Sequence, residues 1–434
     1  MDRGRLAAFA ALQGLEHGAS WAQAWERAAE RAAPGALDRR FAHELVSGSL
    51  RWRGRLDWIL GLHLDRSLSR LEPDVRVVLR LGLYQLLEVV RVADHAAVHE
   101  TVELAKLACP RAAGYVNAVL RAALRGRDAV SFPDRERDPV GYLVAALSHP
   151  EWLVRRWLGR FGLAAAEALC AYDNRRPDLC LRPNRRRTTG AELLLRLPGS
   201  EPGRWAPEAV RCPGPAYGGA RQLVGAGLAS VQDESGMLVA PLLEPRPGER
   251  CLDLAAAPGG KACHIAELLD GTGSVVALDR SPARLERVRD NVRRLGLDNV
   301  LVAEADSRTL AARPADAVLV DAPCTGLGVL ARRPDLRWRK HSGDLARSQK
   351  LQLELLEAAA RHVRAGGRLV YSVCSFEPEE TLEVVRRFAA SHPEMRLEDG
   401  PGPQALRAAP GILYSLPQSH GIDGGFAARW RRHG

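Results

Sequence analysis

The sequence predicts a multidomain chain: an all-α bundle over residues 1–135, a small α+β segment over 142–235, and an α/β, Rossmann-like domain over 236–434. Three observations carry this reading. Apolar residues recur at three- and four-residue spacing through the first 130 positions. From about residue 236, short apolar runs alternate with amphipathic segments, the pattern of a parallel sheet crossed by helices. Between these regions, "SFPDRERDPVG" (131–141) is rich in Pro and charge and reads as a linker.

In the first part, "RLAAFAALQGL", "DRRFAHELVSGSLRWRGRLDWILGLHL", "DVRVVLRLGLYQLLEVV", "AAVHETVELAKLA" and "AGYVNAVLRAALRG" each place an apolar stripe on one helical face. Val75, Val78, Leu79, Leu83 and Leu86 form one such stripe. In the middle part, "SHPEWLVRRWLGRFG" predicts a helix with Ser148 as cap and Pro150 in the first turn. "LCLRPNRRRTT" predicts a strand leading into a basic loop, where Arg182, Arg185, Arg186 and Arg187 could line an RNA phosphate surface. A solvated basic loop accounts for the same composition.

In the last part, "RCLDLAA" is a strand, "APGG" a turn and "KACHIAELLD" a helix. "GSVVALD" is the second strand, followed by a helix with Ser281 as cap, Pro282 at its first position and Gly296 as its stop. "NVLVAEAD", "DAVLVDAPC" and "GGRLVYSVC" supply three more strands, and 344–363 the helix between the last two.

The composition fits a soluble protein with a polyanionic partner. Apolar residues make up 46% and charged residues 26% of the 434, and no apolar run approaches the roughly 20 residues of a membrane span. The N-terminus reads as an amphipathic helix rather than a signal peptide, so the expected compartment is the cytoplasm. The formal net charge is +10, which makes nucleic acid a more natural partner than a membrane. Eight cysteines (109, 170, 180, 212, 251, 263, 324 and 374) show neither C-x-x-C pairs nor nearby histidines, so neither zinc nor a disulfide framework is expected.

Ligands of doubly wound sheets bind beyond the carboxyl ends of the strands. Asp253, Asp279, Asp306 and Asp321 fall at or next to those ends, and "DLAAAPGGK" puts small residues at the first turn, where a backbone can approach a ligand closely. Asp279 suits a pair of ribose hydroxyls, and Asp306 an adenine amino group. The turn is not a P-loop. The arrangement resembles a class I S-adenosylmethionine-dependent methyltransferase, and that resemblance places the cofactor contacts at Ala255, Ala256, Ala257, Pro258, Gly259, Gly260, Lys261, Asp279, Asp306 and Asp321.

Two further stretches narrow the resemblance. "DAPCTGLGVLARRPDLRW" (321–338) and "YSVCSFEPEET" (371–381) resemble the two cysteine motifs of RNA cytosine-C5 methyltransferases. The whole chain resembles the RsmB/Sun (Fmu) family of 16S ribosomal RNA methyltransferases. "DRRFAHELVSGSLRW", "LRLGLYQLL", "DHAAVHETVELAK" and "YVNAVLR" are similar to a NusB-like RNA-binding domain. The resemblance implies S-adenosylmethionine as cofactor, 16S ribosomal RNA as partner, a cytosine-967-type target and a monomer. It assigns Cys374 as the nucleophile that adds to C6, and Cys324 as the thiol that helps proton removal and product release.

Asp321 is expected to hydrogen-bond cytosine N3 in its protonated form, which calls for apolar surroundings, and Lys261 to stabilise the site electrostatically. Arg332, Arg333, Arg337 and Arg339 could guard the entrance, and ordinary surface arginine is the rival reading. Two positions depart from the family pattern: Ala255, where many relatives have Cys, and Gly425 in "IDGGFAARW", where an aromatic is usual. A transfer-RNA cytosine-C5 methyltransferase and a non-catalytic RNA-binding factor are the alternatives. A DNA enzyme needs only the Pro-Cys thiol, so the second cysteine speaks against it.

Overall fold

The computed structural model describes residues 2–434, Pro215 by its backbone alone. The chain divides into two compact units. The first runs to Arg175 and also takes in Leu330–Lys340; the second comprises Arg176–Val329 and His341–Gly434. The boundary therefore falls inside the segment expected to be one middle domain, and residues 142–175 belong with the helices before them.

The first unit is all helix. Arg3–Glu16, Trp21–Ala32, Ala36–Arg51, Arg53–Gly61, Pro73–Glu88, Asp94–Ala108 and Ala113–Arg125 surround one core that includes Phe9, Leu45, Leu60 and Leu120. The whole predicted stripe from Val75 to Leu86 is buried in it. Helix Trp21–Ala32 was not legible as a stripe, because the buried face is only Ala24, Ala28 and Ala32. Its start carries a reciprocal cap between Ser20 and Gln23.

Pro150, not Ser148, precedes helix Glu151–Asp173, which breaks at Gly162 (φ +76°). Ser148 is buried with φ +61°, and its hydroxyl accepts from Gly54 N at 2.9 Å. The serine thus tethers two helices instead of capping one.

The second unit holds two sheets. A small antiparallel one is built from β1 (Leu179–Pro183), β2 (Glu201–Pro202), β3 (Val210–Cys212) and β4 (Ala229–Val231), in the order β2-β3-β1-β4. The larger one contains β5 (Arg250–Asp253), β6 (Ser274–Asp279), β7 (Val300–Glu304), β8 (Ala315–Asp321), β9 (Val363–Val373), β10 (Met395–Leu397), β11 (Arg407–Ala409), β12 (Ile412–Ser415) and β13 (Gly425–Arg432). Its order is β11-β12-β13-β9-β8-β5-β6-β7, with β10 also paired to β13. Strands β5 to β9 run parallel, whereas β13 joins β9 antiparallel.

Both faces of the parallel strands are buried, with Cys251, Ala317 and Leu319 on one side and Leu252, Val318 and Val320 on the other. The chain leaves β5 toward β6 and later returns on its other side as β8. The order therefore switches between β5 and β8, and the carboxyl ends around that switch are where a ligand is expected. Helix Pro282–Leu295 begins and ends where the sequence predicts, and Gly296 closes it at φ +69°. Among the described residues no helix is long and apolar enough to cross a membrane.

Candidate active site

Strand β9 ends at Val373, so alternation along it places Ser372 and Cys374 on one face. Strand β8 ends at Asp321 and runs directly into "APCTG". Because β8 and β9 are parallel neighbours, with Asp321 opposite Ser372, the two cysteine turns leave the same edge side by side. The Cys324 and Cys374 sulfurs are 3.1 Å apart. Gly328 N donates to Cys374 O at 3.1 Å, and Gly424 N to Gly328 O at 2.7 Å, which ties both turns to the start of β13.

The two thiols are not equivalent. The hydrogen bond from Cys324 lowers the Cys374 thiol, and the Lys261 ammonium acts in the same direction against burial and Asp321. Cys324 is driven well above the ordinary thiol range by that same bond, by burial, and by Glu380 and Asp321. Of the two, Cys374, which is exposed, is therefore the thiol that ionises more readily, and Cys324 the one that holds its proton more tightly.

Lys261 opens helix Gly260–Leu268 and donates to Asp321 Oδ2 at 2.7 Å, while Ser372 Oγ donates to Asp321 Oδ1 at 2.6 Å. The expected apolar setting for Asp321 is thus absent: both of its oxygens accept strong hydrogen bonds. Burial pulls the Lys261 ammonium down, but Asp321 outweighs it and the net shift is upward. Lys261, Asp321, Ser372 and Cys374 line one cleft together with Tyr414 and Phe426.

The cofactor turn has the shape the sequence suggested. Ala256 N donates to Leu278 O, Arg284 to Ala257 O and Asn291 to Pro258 O, so Ala255–Gly259 is pinned to β6 and to the following helix. Gly259 has φ +104°, and a Cβ there would lie 3.2 Å from Val288 Cα. No other residue fits that backbone without strain. A cleft lies beyond it, lined by Leu254, Ala255, Asp279, Asp306 and Pro323 among others. Asp279 is buried there, its carboxylate accepting from Ser281 N at 3.0 Å and paired with Arg284 at 3.1 Å. An enclosed carboxylate beside a close-approach glycine turn fits a nucleoside group.

Asp306 is committed elsewhere than expected. Arg308 donates to it from its backbone and twice from its guanidinium, which holds its carboxyl down to about 2. Asp253, by contrast, is fully buried and pushed up to about 7 by burial and by Asp321.

The basic loop is corrected in part. Arg182 is 1% exposed and pairs with Glu267 and Gln232, so it locks the small sheet to helix Gly260–Leu268 rather than lining an RNA surface. Arg185, Arg186 and Arg187 are exposed. Arg186 also pairs with Asp298, and Arg187 donates to Arg294 O at the end of helix Pro282–Leu295. Of the arginines proposed to guard the entrance, Arg337 is wholly buried in the helical unit, where it donates to Arg51 O, Ser148 O, Asp173 O and Asn174 Oδ1. Arg333 and Arg339 both pair with Asp335.

Sequence reasoning missed Ser372, Thr325, Gln352 and Glu380. The period of two in β9 could have found Ser372. Glu380 gave no signal, because an acidic run after a strand reads as a solvated helix start.

Residues 240–431 match the family described as 16S rRNA methyltransferase RsmB/F, residues 2–125 the NusB family, and residues 149–216 the RsmF/B-like ferredoxin-like domain. The chain is 37% identical over 411 residues to the probable ribosomal RNA small subunit methyltransferase B of Bacillus subtilis, covering 92% of this chain and 91% of that one. It is 38% identical over 402 residues to the ribosomal RNA small subunit methyltransferase B of Pseudomonas putida, covering 90% of each. The crystal structure of PH0851 superposes with a TM-score of 0.84 at 27% identity, over 100% of this chain and 99% of that one.

Proposed function

The chain belongs to the RsmB/F family of 16S rRNA methyltransferases, and on that premise we propose that it methylates C5 of a cytosine in 16S rRNA, at a cytosine-967-type site, through a covalent adduct between Cys374 and C6. The observation that carries this reading is the pair of sulfurs 3.1 Å apart at the carboxyl ends of β8 and β9, with Lys261 and Asp321 lining one cleft with Cys374.

Cytosine C5 is too poor a nucleophile to attack a sulfonium unaided. A thiolate adding at C6 turns C5 into an enamine carbon. Cys374 adds while the Lys261–Asp321 pair supplies a proton to the charge gathering on N3. The turn 255–261 and Asp279 would hold S-adenosylmethionine, which would supply the methyl group for C5. Once Cys374 is bonded to carbon, Cys324 gives up its own proton to solvent. As a thiolate it removes the proton from C5, the C6–S bond breaks, the electron pair returns to Cys374, and N3 gives its proton back to the Lys261–Asp321 pair. The Cys324 thiol formed in this step donates to the departing sulfur, which restores the starting pair. One proton is released per methyl transferred.

The base must leave its stack to reach this cleft, so an unpaired or flipped cytosine is the substrate. The NusB-like unit and the exposed Arg185–Arg187 loop are then the elements that hold surrounding RNA through its phosphates.

Bisulfite mapping of 16S rRNA from cells with and without the gene tests the assignment. One methylcytosine is expected to vanish, and an unchanged map would sink it. Incubation of RNA and cofactor with Cys374→Ala should give no covalent protein–RNA complex. Cys324→Ala should accumulate one, and the reverse pattern would exchange the two roles.

A further inference from the structure

We infer that Glu380 is a positioning residue for Cys324, holding the loop of the second thiol in register with the first. The inference rests on the two-thiol reading above and deepens it. Glu380 lies in the turn Pro378–Glu380, six residues after Cys374, and is fully buried. Its carboxylate accepts from Thr325 N at 2.8 Å and from Thr325 Oγ at 2.5 Å, on the residue that follows Cys324. Gln352, buried on helix Gly343–His362, donates from one amide nitrogen to Glu380 Oε1 at 3.2 Å and to Pro323 O at 3.0 Å, on the residue that precedes Cys324. Both neighbours of the thiol are thus gripped by one buried polar pair.

The grip is anchored to the strand that carries the nucleophile, because Tyr371 OH donates to Glu380 O at 2.7 Å. A sulfur that must stay within reach of Cys374 through addition, proton removal and elimination needs a loop with little freedom. A carboxylate with several donors provides this where apolar packing would not.

The charge has a second effect. Behind the hydrogen bond with Cys374 and burial, Glu380 is among the groups that oppose ionisation of Cys324. Burying a carboxylate is costly, and here the cost falls beside the one thiol whose protonation must alternate.

The test is single-turnover methylation of a 16S rRNA fragment, with adduct formation and adduct release followed separately on denaturing gels across pH. In Glu380→Gln, adduct formation should stay within threefold of wild type. The plateau rate of release should fall at least tenfold, and the pH of half-maximal release should move down, because Cys324 ionises more easily without the carboxylate. Glu380→Asp keeps the charge but is one methylene short. It should restore the pH midpoint and leave release slow.

Release within twofold of wild type at an unmoved midpoint overturns the positioning role. Should Glu380→Gln fail to fold, Thr325→Val removes one of the gripping bonds and should slow release roughly threefold to tenfold at an unchanged midpoint; wild-type release there overturns the inference too. Cys324→Ala runs alongside. If it releases RNA as the wild type does, the two-thiol reading fails and the role of Glu380 falls with it.

Discussion

At the scale of the residue, the site separates two chemically identical thiols by their neighbours. The hydrogen bond between them lowers Cys374 and raises Cys324; Lys261 also lowers Cys374, while Asp321 and Glu380 oppose ionisation of both. Replacing Lys261 with Met removes the cation that favours the thiolate, so the Cys374 pKa should rise and the pH profile of adduct formation should move to higher pH. At neutral pH the rate falls about tenfold for each unit of that rise. A profile that stays in place would show that Lys261 does not act on Cys374. The remaining cysteines are inert by the same logic: burial pushes Cys251 and Cys263 up to about 12. Brief treatment with iodoacetamide at neutral pH should therefore label Cys374 first, and Cys374→Ala should take up little label. Rapid labelling of any buried cysteine would contradict the burial described for it.

At the scale of the element, the catalytic parts sit on strand ends, and the turns between strand and helix decide what the site can hold. Gly259→Ala forces a Cβ to within 3.2 Å of the backbone of helix Pro282–Leu295 at φ +104°. It should cost about 1–3 kcal/mol of stability in urea unfolding and weaken cofactor binding in titration calorimetry. Unchanged values for both would mean that the turn is softer than its contacts imply. This turn, and the strands and helices around it, were legible because each carries a local signal. The helix at Pro282 announces itself by Ser, Pro and a closing Gly, and β5, β6, β8 and β9 by apolar runs ending in Asp or Cys. What was not legible depends on partners distant in the chain. Ser148 looks like a cap until Gly54 claims its hydroxyl. Arg182 looks like a phosphate ligand until Glu267 claims its guanidinium. Glu380 looks like a solvated acid until Thr325 and Gln352, 55 and 28 residues away in sequence, turn it inward.

At the scale of the whole molecule, burial takes charges of both signs: among the described residues seven arginines, Arg182, Arg337, Arg368 and Arg429 included, and nine carboxylates are buried, so the positive excess of the +10 chain stays on the surface that RNA can meet. In the helical unit the buried cation Arg337 stands over His149 and Asp173, whose Nε2 and Oδ2 lie 3.5 Å apart. Burial, reinforced by Arg337, drives the His149 imidazolium well below its usual range. Burial also pushes Asp173 up to about 7, although Arg337 opposes it. On folding, a proton therefore leaves the histidine and one is taken up by the aspartate. The signs are opposite. The raised Asp173 contributes stability that is complete below its unfolded pKa of ~3.9 and lost as pH rises toward 7; the depressed His149 contributes stability that is lost as pH falls below its unfolded ~6.5. Between about pH 4 and 6.5 the two contributions run in opposite directions and offset one another. Each single substitution should expose the other group. Asp173→Asn should leave stability rising with pH across that window, and His149→Gln should leave it falling, each by at most about 1.4 kcal/mol per pH unit. All nine tryptophans except Trp205 and Trp430 belong to the helical unit, so urea unfolding followed by tryptophan fluorescence reads this half of the molecule. Two variants sloping in the same direction would refute the paired exchange.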